Sequence, residues 1–345
     1  MKPYSLRAAL VIGLAAALSK AVGDAVGLGS EPVTYGVILA VLVVKPDFSR
    51  WPLAFYPVLV VLLGFAMAIG LGVDRAFEGA PDTFTFAVVA LLMQLLGLIL
   101  PNKLKLLTGA LAVAGVLPLL STDTSMSSWG RKVGAMALGL VLGALVQRAF
   151  TPAQLPPAAE PPEVPPDPPL AVRLRMGLHS PFFWERTLLA MLALSIGEGL
   201  GALTPKYLYF GVVLLFNDSL DTTLARVIDR MMGVSLGVLM PLLVFNSIGS
   251  GPVEIGLVMG GTAALVISLG LGRFLRTALI SSGVAFVGYG PLVIWYIPNR
   301  WIDYLMGCIL AASAALVVDA VRRRAASRQP AQAYPSPPGR DRSRG

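Results

Sequence analysis

The stretch RVIDRMMGVSLG, residues 226–237, sets Arg226, Asp229 and Arg230 directly before Gly233 and Gly237. Wound at 100° per residue, the two arginines and two glycines fall within about 60° of one another, and Asp229 flanks that stripe. Glycines at i, i+4 let a neighbouring helix approach closely. Guanidinium groups grip carboxylates bidentately through their planar fork. Asp221 or Thr222 is expected to cap the helix, adding its positive dipole end. The chemistry on offer is recognition of an anion rather than bond-making. As anchors of a helix end the arginines need no ligand, a reading that suits Arg226; Arg230, closer to Gly233, admits both.

Further candidates lie inside apolar runs. Glu198 sits in SIGEGLGAL, and Lys20 and Asp24 are four residues apart in the first run. A charge near the bilayer centre costs on the order of 2.5–3.5 kcal/mol, so such residues face a partner or a water-filled cavity. Lys20 is expected to pair with Asp24 locally or with Glu198 across the molecule. Lys20 could meet an anion and Glu198 could carry a proton, or they form a purely structural ion pair. Tyr35, Tyr207, Tyr209 and Asn217 accompany two short apolar segments and could line a path or mark an interface. One histidine, His179, and one cysteine, Cys308, leave no material for a metal cluster or a Ser/His/Asp triad. No cofactor and no enzymatic centre are expected.

The elements that carry these residues are apolar. Hydrophobic residues make up 56% of the 345 and charged residues 13%, about half the usual charged share of a soluble domain. Twelve apolar segments are readable: 6–28, 33–45, 53–72, 84–100, 104–120 and 130–150, then 182–203, 207–217, 224–245, 253–271, 274–296 and 301–321. Most approach the roughly 20 residues that span a bilayer as helix. The expected fold is an all-α polytopic membrane protein of about twelve transmembrane helices. It divides into a first six-helix half, 1–150, a Pro-rich cytoplasmic linker, 151–181, a second six-helix half, 182–321, and a disordered basic tail, 322–345. Nine prolines in TPAQLPPAAEPPEVPPDPPL favour an extended spacer. The first run continues to Val26 and is read as an uncleaved helix rather than a signal peptide.

Cytoplasmic termini place 21 of the 27 Lys and Arg residues on the cytoplasmic side, as the positive-inside rule requires. Arg75, Arg131, Lys132, Lys206 and Arg300 fall on the outer side. The net charge of +8 is thus a topology signal, with the bilayer as partner and nucleic acid excluded. The halves resemble each other: Arg7 with Arg186 near the first segments, TYGVILAVLVVKPD (34–47) with LYFGVVLLFNDSLD (208–221). Six helices per half make the repeats parallel. The second segment of each half is short, which either points to a transport site or reflects boundaries drawn too tightly.

The span KYLYFGVVLLFNDSLDTTLARVIDRMMGVSLG (206–237) resembles the pattern of the fusaric acid resistance and aromatic acid exporter superfamily: a second helix, a polar turn, threonine, then Arg-x-x-Gly-x-x-x-Gly. Thr222 or Thr223, Arg226, Arg230, Gly233 and Gly237 match it. The final segment, NRWIDYLMGCILAASAALVVD (299–319), is similar to the family's last helix, with Arg300, Asp303 and Gly307 in register. The resemblance covers roughly 182–320. In the first half, 45–64 lacks the arginine–glycine core, and no large cytosolic domain is present. The resemblance implies export of small organic acids, often aromatic carboxylates, driven by the membrane potential or a proton gradient; a plant branch conducts malate through channels. The expectation is a secondary transporter in a plasma (inner) membrane, with an anion channel or a non-transporting scaffold as alternatives. A homo-oligomer stays open.

Overall fold

The computed structural model describes residues 5–49, 51–121, 123–151, 167–202, 205–244, 249–289 and 293–328. All regular structure among these is helical: α1 (Ser5–Ala25), α2 (Ser30–Val43), α3 (Phe55–Ala76), α4 (Asp82–Ile99), α5 (Thr108–Val116), α6 (Met126–Ala149), α7 (Leu170–Leu178), α8 (Pro181–Gly199), α9 (Lys206–Leu215), α10 (Leu220–Val244), α11 (Pro252–Ser268), α12 (Leu275–Tyr289) and α13 (Val293–Arg328). Each of the twelve apolar segments coincides with one of these helices. Among the described residues, however, six helices are long and apolar enough to cross a membrane by themselves: α1, α3, α4, α6, α10 and most of α13. The others fall short for visible reasons. α5 has 9 residues between two 3-10 turns, and α2 and α9 have 14 and 10. α8 is long enough but carries Glu185, Arg186 and Glu198.

Several boundaries differ from expectation: α6 starts at Met126 rather than 130, and α13 starts at Val293 rather than 301, within the segment read as 274–296. Residues 170–178 form α7 inside the segment read as linker, because the prolines stop at Pro169 and LAVRLRMGL is a good helix former. α13 runs through Arg322, Arg323 and Arg324 to Arg328, where a tail was expected; Asp319 bonds Arg323 one turn on, at 2.8 Å. The rest of the expected tail, and 152–166 of the linker, lie outside the described residues.

Packing is organised by small residues. A Cβ on Gly13 of α1 would lie 2.7 Å from the Gly256 carbonyl oxygen of α11. One on Gly36 of α2 would lie 2.7 Å from the Ala135 carbonyl oxygen of α6, and one on Gly211 of α9 would lie 2.6 Å from that of Gly307 of α13. These backbone approaches replace the hydrophobic drive that lipid removes. Within the N-terminal half α1 packs on α2, α2 on α6, α3 on α5 and α6, and α4 on α5. Within the C-terminal half α8 packs on α9, α9 on α13, α10 on α12 and α13, and α11 on α12. Between halves α1 packs on α11 and α4 on α8, while α2 meets α12 and α5 meets α9. The buried apolar residues form clusters that mix helices of both halves. Leu6, Leu10, Leu14 and Leu18, four apart on α1, remain exposed as an outward apolar stripe of the kind hydrocarbon solvates.

One end geometry occurs twice. At the end of α1, Leu28 N–H bonds Gly23 O at 3.1 Å and Gly27 takes φ +72°; at the end of α8, Ala202 N–H bonds Gly197 O at 2.9 Å and Gly201 takes φ +68°. Both are Schellman ends that need a glycine in the left-handed region. Gly23 and Gly197, like Gly27 and Gly201, are 174 positions apart. In that register Asp24 lies opposite Glu198, and Arg7 lies opposite Pro181 rather than Arg186.

Candidate functional site

The sequence breaks helix α9 after ten residues. Phe216 turns extended (ψ 124°), and the polar run Asn217-Asp218-Ser219 closes on the buried Thr223. Thr223 Oγ1 accepts the Asn217 N–H at 3.0 Å and donates to Ser219 O at 3.0 Å. Ser219 Oγ accepts the Thr222 N–H at 3.3 Å, so α10 is capped by Ser219 and not by Asp221 or Thr222. Asn217 serves this turn: its Oδ1 accepts the Asp218 N–H at 3.1 Å.

The truncated end of α9 leaves carbonyls without helical donors. Arg186 of α8 donates from Nη2 to one of them, Val213 O, placing a cation at the negative helix end. Its Nε is buried without a hydrogen-bond partner. Arg226, exposed on the first turns of α10, lies near enough for its charge to act on Arg186. Arg230, one turn deeper, donates from Nη2 to the Tyr304 hydroxyl of α13 at 3.1 Å. Its guanidinium carbon stands 5.2 Å from the centre of that ring, and the Tyr304 ring lies 4.5 Å from that of Tyr207 on α9. Arg230 Nε is also buried without an acceptor.

Asp229, Glu185 and Asp218 are engaged elsewhere. Asp229 turns to Arg273 at 3.7 Å. Glu185 and Asp218 both bind Arg322 of α13, at 2.8 and 2.9 Å, which ties α8, the α9–α10 turn and α13 together. Among the described residues no carboxylate is ion-paired with Arg186, Arg226 or Arg230. Guanidinium groups with free N–H, aromatic rings alongside and no internal counter-charge can hold a carboxylate.

The remaining residues singled out from the sequence are spread over the molecule. Gly233 and Gly237 face α12, where a Cβ would meet Thr277 Cβ at 2.5 Å and Ser281 Cβ at 2.8 Å. Arg230 instead turns to α13, so the glycines and this arginine serve different neighbours. Tyr209 is buried, donates to Ala112 O of α5 at 3.0 Å and sits edge-on to Phe86 of α4, linking the halves. Lys20 binds Asp24 at 2.5 Å. Glu198 lies exposed in the last turn of α8, and no hydrogen bond or ion pair joins it to Lys20.

No family model, curated protein or solved structure matches this chain. The resemblance carried by residues 206–237 and 299–319 therefore rests on the motif alone.

A second cluster escaped the sequence reading. Lys132 of α6 is 2% exposed and bonds Glu31, the second residue of α2, at 3.1 Å. The Tyr35 hydroxyl donates to Glu31 at 3.3 Å, and Ser121 contacts both Glu31 and Lys132. Beside it opens a cavity of about 640 Å3 lined by Asp74, Arg75, Glu78, Asp82, Asp123 and their neighbours. It touches none of Lys20, Glu198, Arg186 or Arg230. With the segment started at 130, Lys132 falls in its first turn and counts only as an outer-side charge. The signal that it lies deeper inside the helix is Ser125, whose Oγ accepts the Ser128 N–H at 3.1 Å and starts α6 at Met126.

Proposed function

We propose that the chain is a secondary transporter that exports small organic anions, aromatic carboxylates foremost, across a plasma membrane. The observation that carries this reading is three arginines around the ten-residue helix α9: Arg186 on Val213 toward its C-terminal end, Arg226 on the first turns of α10, and Arg230 on Tyr304, whose ring lies on Tyr207 of the first turn of α9; among the described residues none of the three is ion-paired with a carboxylate. Arg230 lies ten residues into α10, about 15 Å along the axis, so its charge is at middle depth in a spanning helix. An intramembrane cation without a counter-charge is costly and is expected to serve a ligand.

The twelve-crossing topology belongs to the same proposal. Support comes from the twice-used helix end at a 174-residue offset and from packings that recur with the halves exchanged, α1 on α11 beside α8 on α4. Two six-helix parallel repeats with cytoplasmic termini follow. The short α2 and α9 then occupy corresponding places, as discontinuous helices do around transporter sites. In this orientation the arginines face the cytoplasm and the acid-lined cavity faces outward, so an anion is gathered on one side and discouraged from returning on the other.

The test is flux in proteoliposomes loaded with p-hydroxybenzoate or malate. Export that falls at least about tenfold in Arg230→Gln, the scale of one lost charged hydrogen bond, supports the reading. Equal flux in wild type and Arg230→Gln, or none in wild type, refutes it. Arg230-dependent currents that need no proton gradient would replace the carrier with a channel.

A further inference from the structure

The Glu31 carboxylate sits in a seat built from three elements. Lys132 Nζ of α6 lies 3.1 Å from Oε1, and the Tyr35 hydroxyl of α2 donates to the same oxygen at 3.3 Å. The Ser121 hydroxyl, from the link between α5 and α6, lies 3.2 Å from Oε2 and accepts from Lys132 Nζ at 2.6 Å. One ammonium and two hydroxyls around two oxygens are the donors a free carboxylate would use. Lys132 itself is buried, and a buried ammonium requires an anion against it. Its anion is far less enclosed: the Glu31 side chain is 42% exposed against 3% for Lys132. Lys132 also lines a cavity of about 10 Å3 with Asp123, Thr124, Ser125 and Trp129. Asp123, Thr124 and Ser125 in turn line the large cavity, so these three residues stand between the small cavity at Lys132 and the large one.

The two halves place comparable groups where the short helix crosses the last helix. Trp129 donates its indole N–H to Gly64 of α3 at 3.1 Å, and Trp301 donates to Ser235 of α10 at 3.0 Å. Counted from these tryptophans, Lys132 falls opposite Tyr304, the residue that holds Arg230. Among the described residues one half thus presents a cation on a tyrosine with no carboxylate ion-paired to it, and the other presents a cation and a tyrosine with a carboxylate already seated.

We propose that Lys132, Tyr35 and Ser121 form a second carboxylate station on the release side, in which Glu31 is the resident ligand that a transported acid displaces. This rests on the reading of the chain as an organic-anion exporter. The tethered carboxylate keeps the station charge-balanced when empty of substrate. A departing acid takes its place, is released into a cavity lined by Asp74, Glu78, Asp82 and Asp123, and Glu31 returns. No covalent step is involved.

The experiment empties the seat. Full-length chain carrying Arg230→Gln, which removes the first site from the readout, is purified in detergent with Glu31 intact, with Glu31→Ala, and with Glu31→Ala/Lys132→Met. Thermal unfolding is followed against sodium benzoate, with sodium chloride at matched ionic strength. The expected result is a saturable rise in midpoint for the Glu31→Ala protein, at benzoate concentrations about tenfold below those that act with Glu31 intact. Chloride and the Lys132→Met background should give no such rise. If Glu31→Ala does not fold, Glu31→Ser takes its place, its hydroxyl helping to keep Lys132 solvated. The proposal is overturned if benzoate acts no better than chloride, or equally well without Lys132. Flux plays no part in this measurement. A flat titration therefore removes the station and leaves the transport reading standing, and missing Arg230-dependent flux removes the transport reading but not the carboxylate seat.

Discussion

Gly211→Ala should destabilise the protein, and the structure sets how much. The added Cβ would lie 2.6, 2.7 and 2.8 Å from the O, C and Cα atoms of Gly307. Ordinary contact begins near 3.4 Å. All three atoms are backbone of α13, so no side chain can rotate away and the α9–α13 axes must part by roughly 0.6–0.8 Å over that crossing. Overpacking of this kind costs about 1–3 kcal/mol, against which alanine returns up to about 1 kcal/mol of helix propensity. Gly72→Ala on α3 provides the opposite case, because nothing lies within 4 Å of its Cβ and only the propensity gain remains. The assay is reversible unfolding of both variants in mixed micelles. Gly211→Ala should fall about 1–2 kcal/mol below wild type while Gly72→Ala equals or exceeds it. Equal stabilities for the two variants would refute the argument that backbone contact sets the position of α9. Parting these helices also moves Tyr207 from Tyr304, so export should suffer in Gly211→Ala protein that still folds.

Other consequences follow from single contacts. Arg322→Gln removes the bonds to Asp218 and Glu185 and should cost on the order of 1 kcal/mol, discounted for partial exposure; Arg322→Lys, without the fork, should recover only part of it in the same unfolding assay. Hydrogen bonds from the Ser125 side chain and backbone, then the charges of Arg131 and Lys132, hold the Asp123 carboxyl below its ordinary value of 3.8. The stability this contributes is present above 3.8 and lost as pH falls through the lower folded-state value, so Asp123→Asn should lose less stability than wild type as pH falls below 3.8, read by unfolding across that range. Arg273→Gln removes the 3.7 Å contact to Asp229 and the stacking on Phe274, which frees a carboxylate beside Arg230, and should lower p-hydroxybenzoate flux, where Arg186→Gln, cutting the bond to Val213, abolishes it; both are read in the proteoliposome assay.

The helices were legible because each is an apolar run bounded by Pro, Gly or a polar turn, and those signals are local. Charged residues inside them were harder to place, because burial is decided by elements far along the chain. Lys132 falls in the first turn of the expected segment 130–150 and counts there as an outer-side charge; that it is buried and bonds Glu31, 101 positions earlier, depends on α2 packing on α6. Arg186 counts as one more cytoplasmic positive charge until Val213 is seen to accept from it. The stripe that joins Arg230 to Gly233 on a helical wheel spans a 60° arc, wide enough to face two neighbours. α12 takes the glycines and α13 takes the arginine.

The asymmetry between the halves bears most directly on the proposed export. In the N-terminal half the buried cation is neutralised by Glu31, and Arg131 by Asp123 at 3.1 Å. In the C-terminal half Arg322 takes two carboxylates, while Arg186, Arg226 and Arg230 are paired with none among the described residues. If the arginines served only as helix-end anchors, Glu185 and Asp218, which border them in sequence, would be the natural partners. Both reach to α13 instead, and Arg322 makes with them a clamp that holds the α9–α10 turn without touching the three cations. Charge is thus balanced where Arg322 fastens α8, the α9–α10 turn and α13, while the three arginines beside that clamp have no ion-paired carboxylate among the described residues. A double substitution, Arg322→Gln with Ala225→Glu on the exposed face of α10, separates the two roles. It loosens the clamp and offers a new carboxylate one residue from Arg226. If the unbalanced charge serves an anion, export should fall further than in Arg322→Gln alone, in protein whose unfolding midpoint matches that of the single variant; equal export from the two would show that the arginines are anchors.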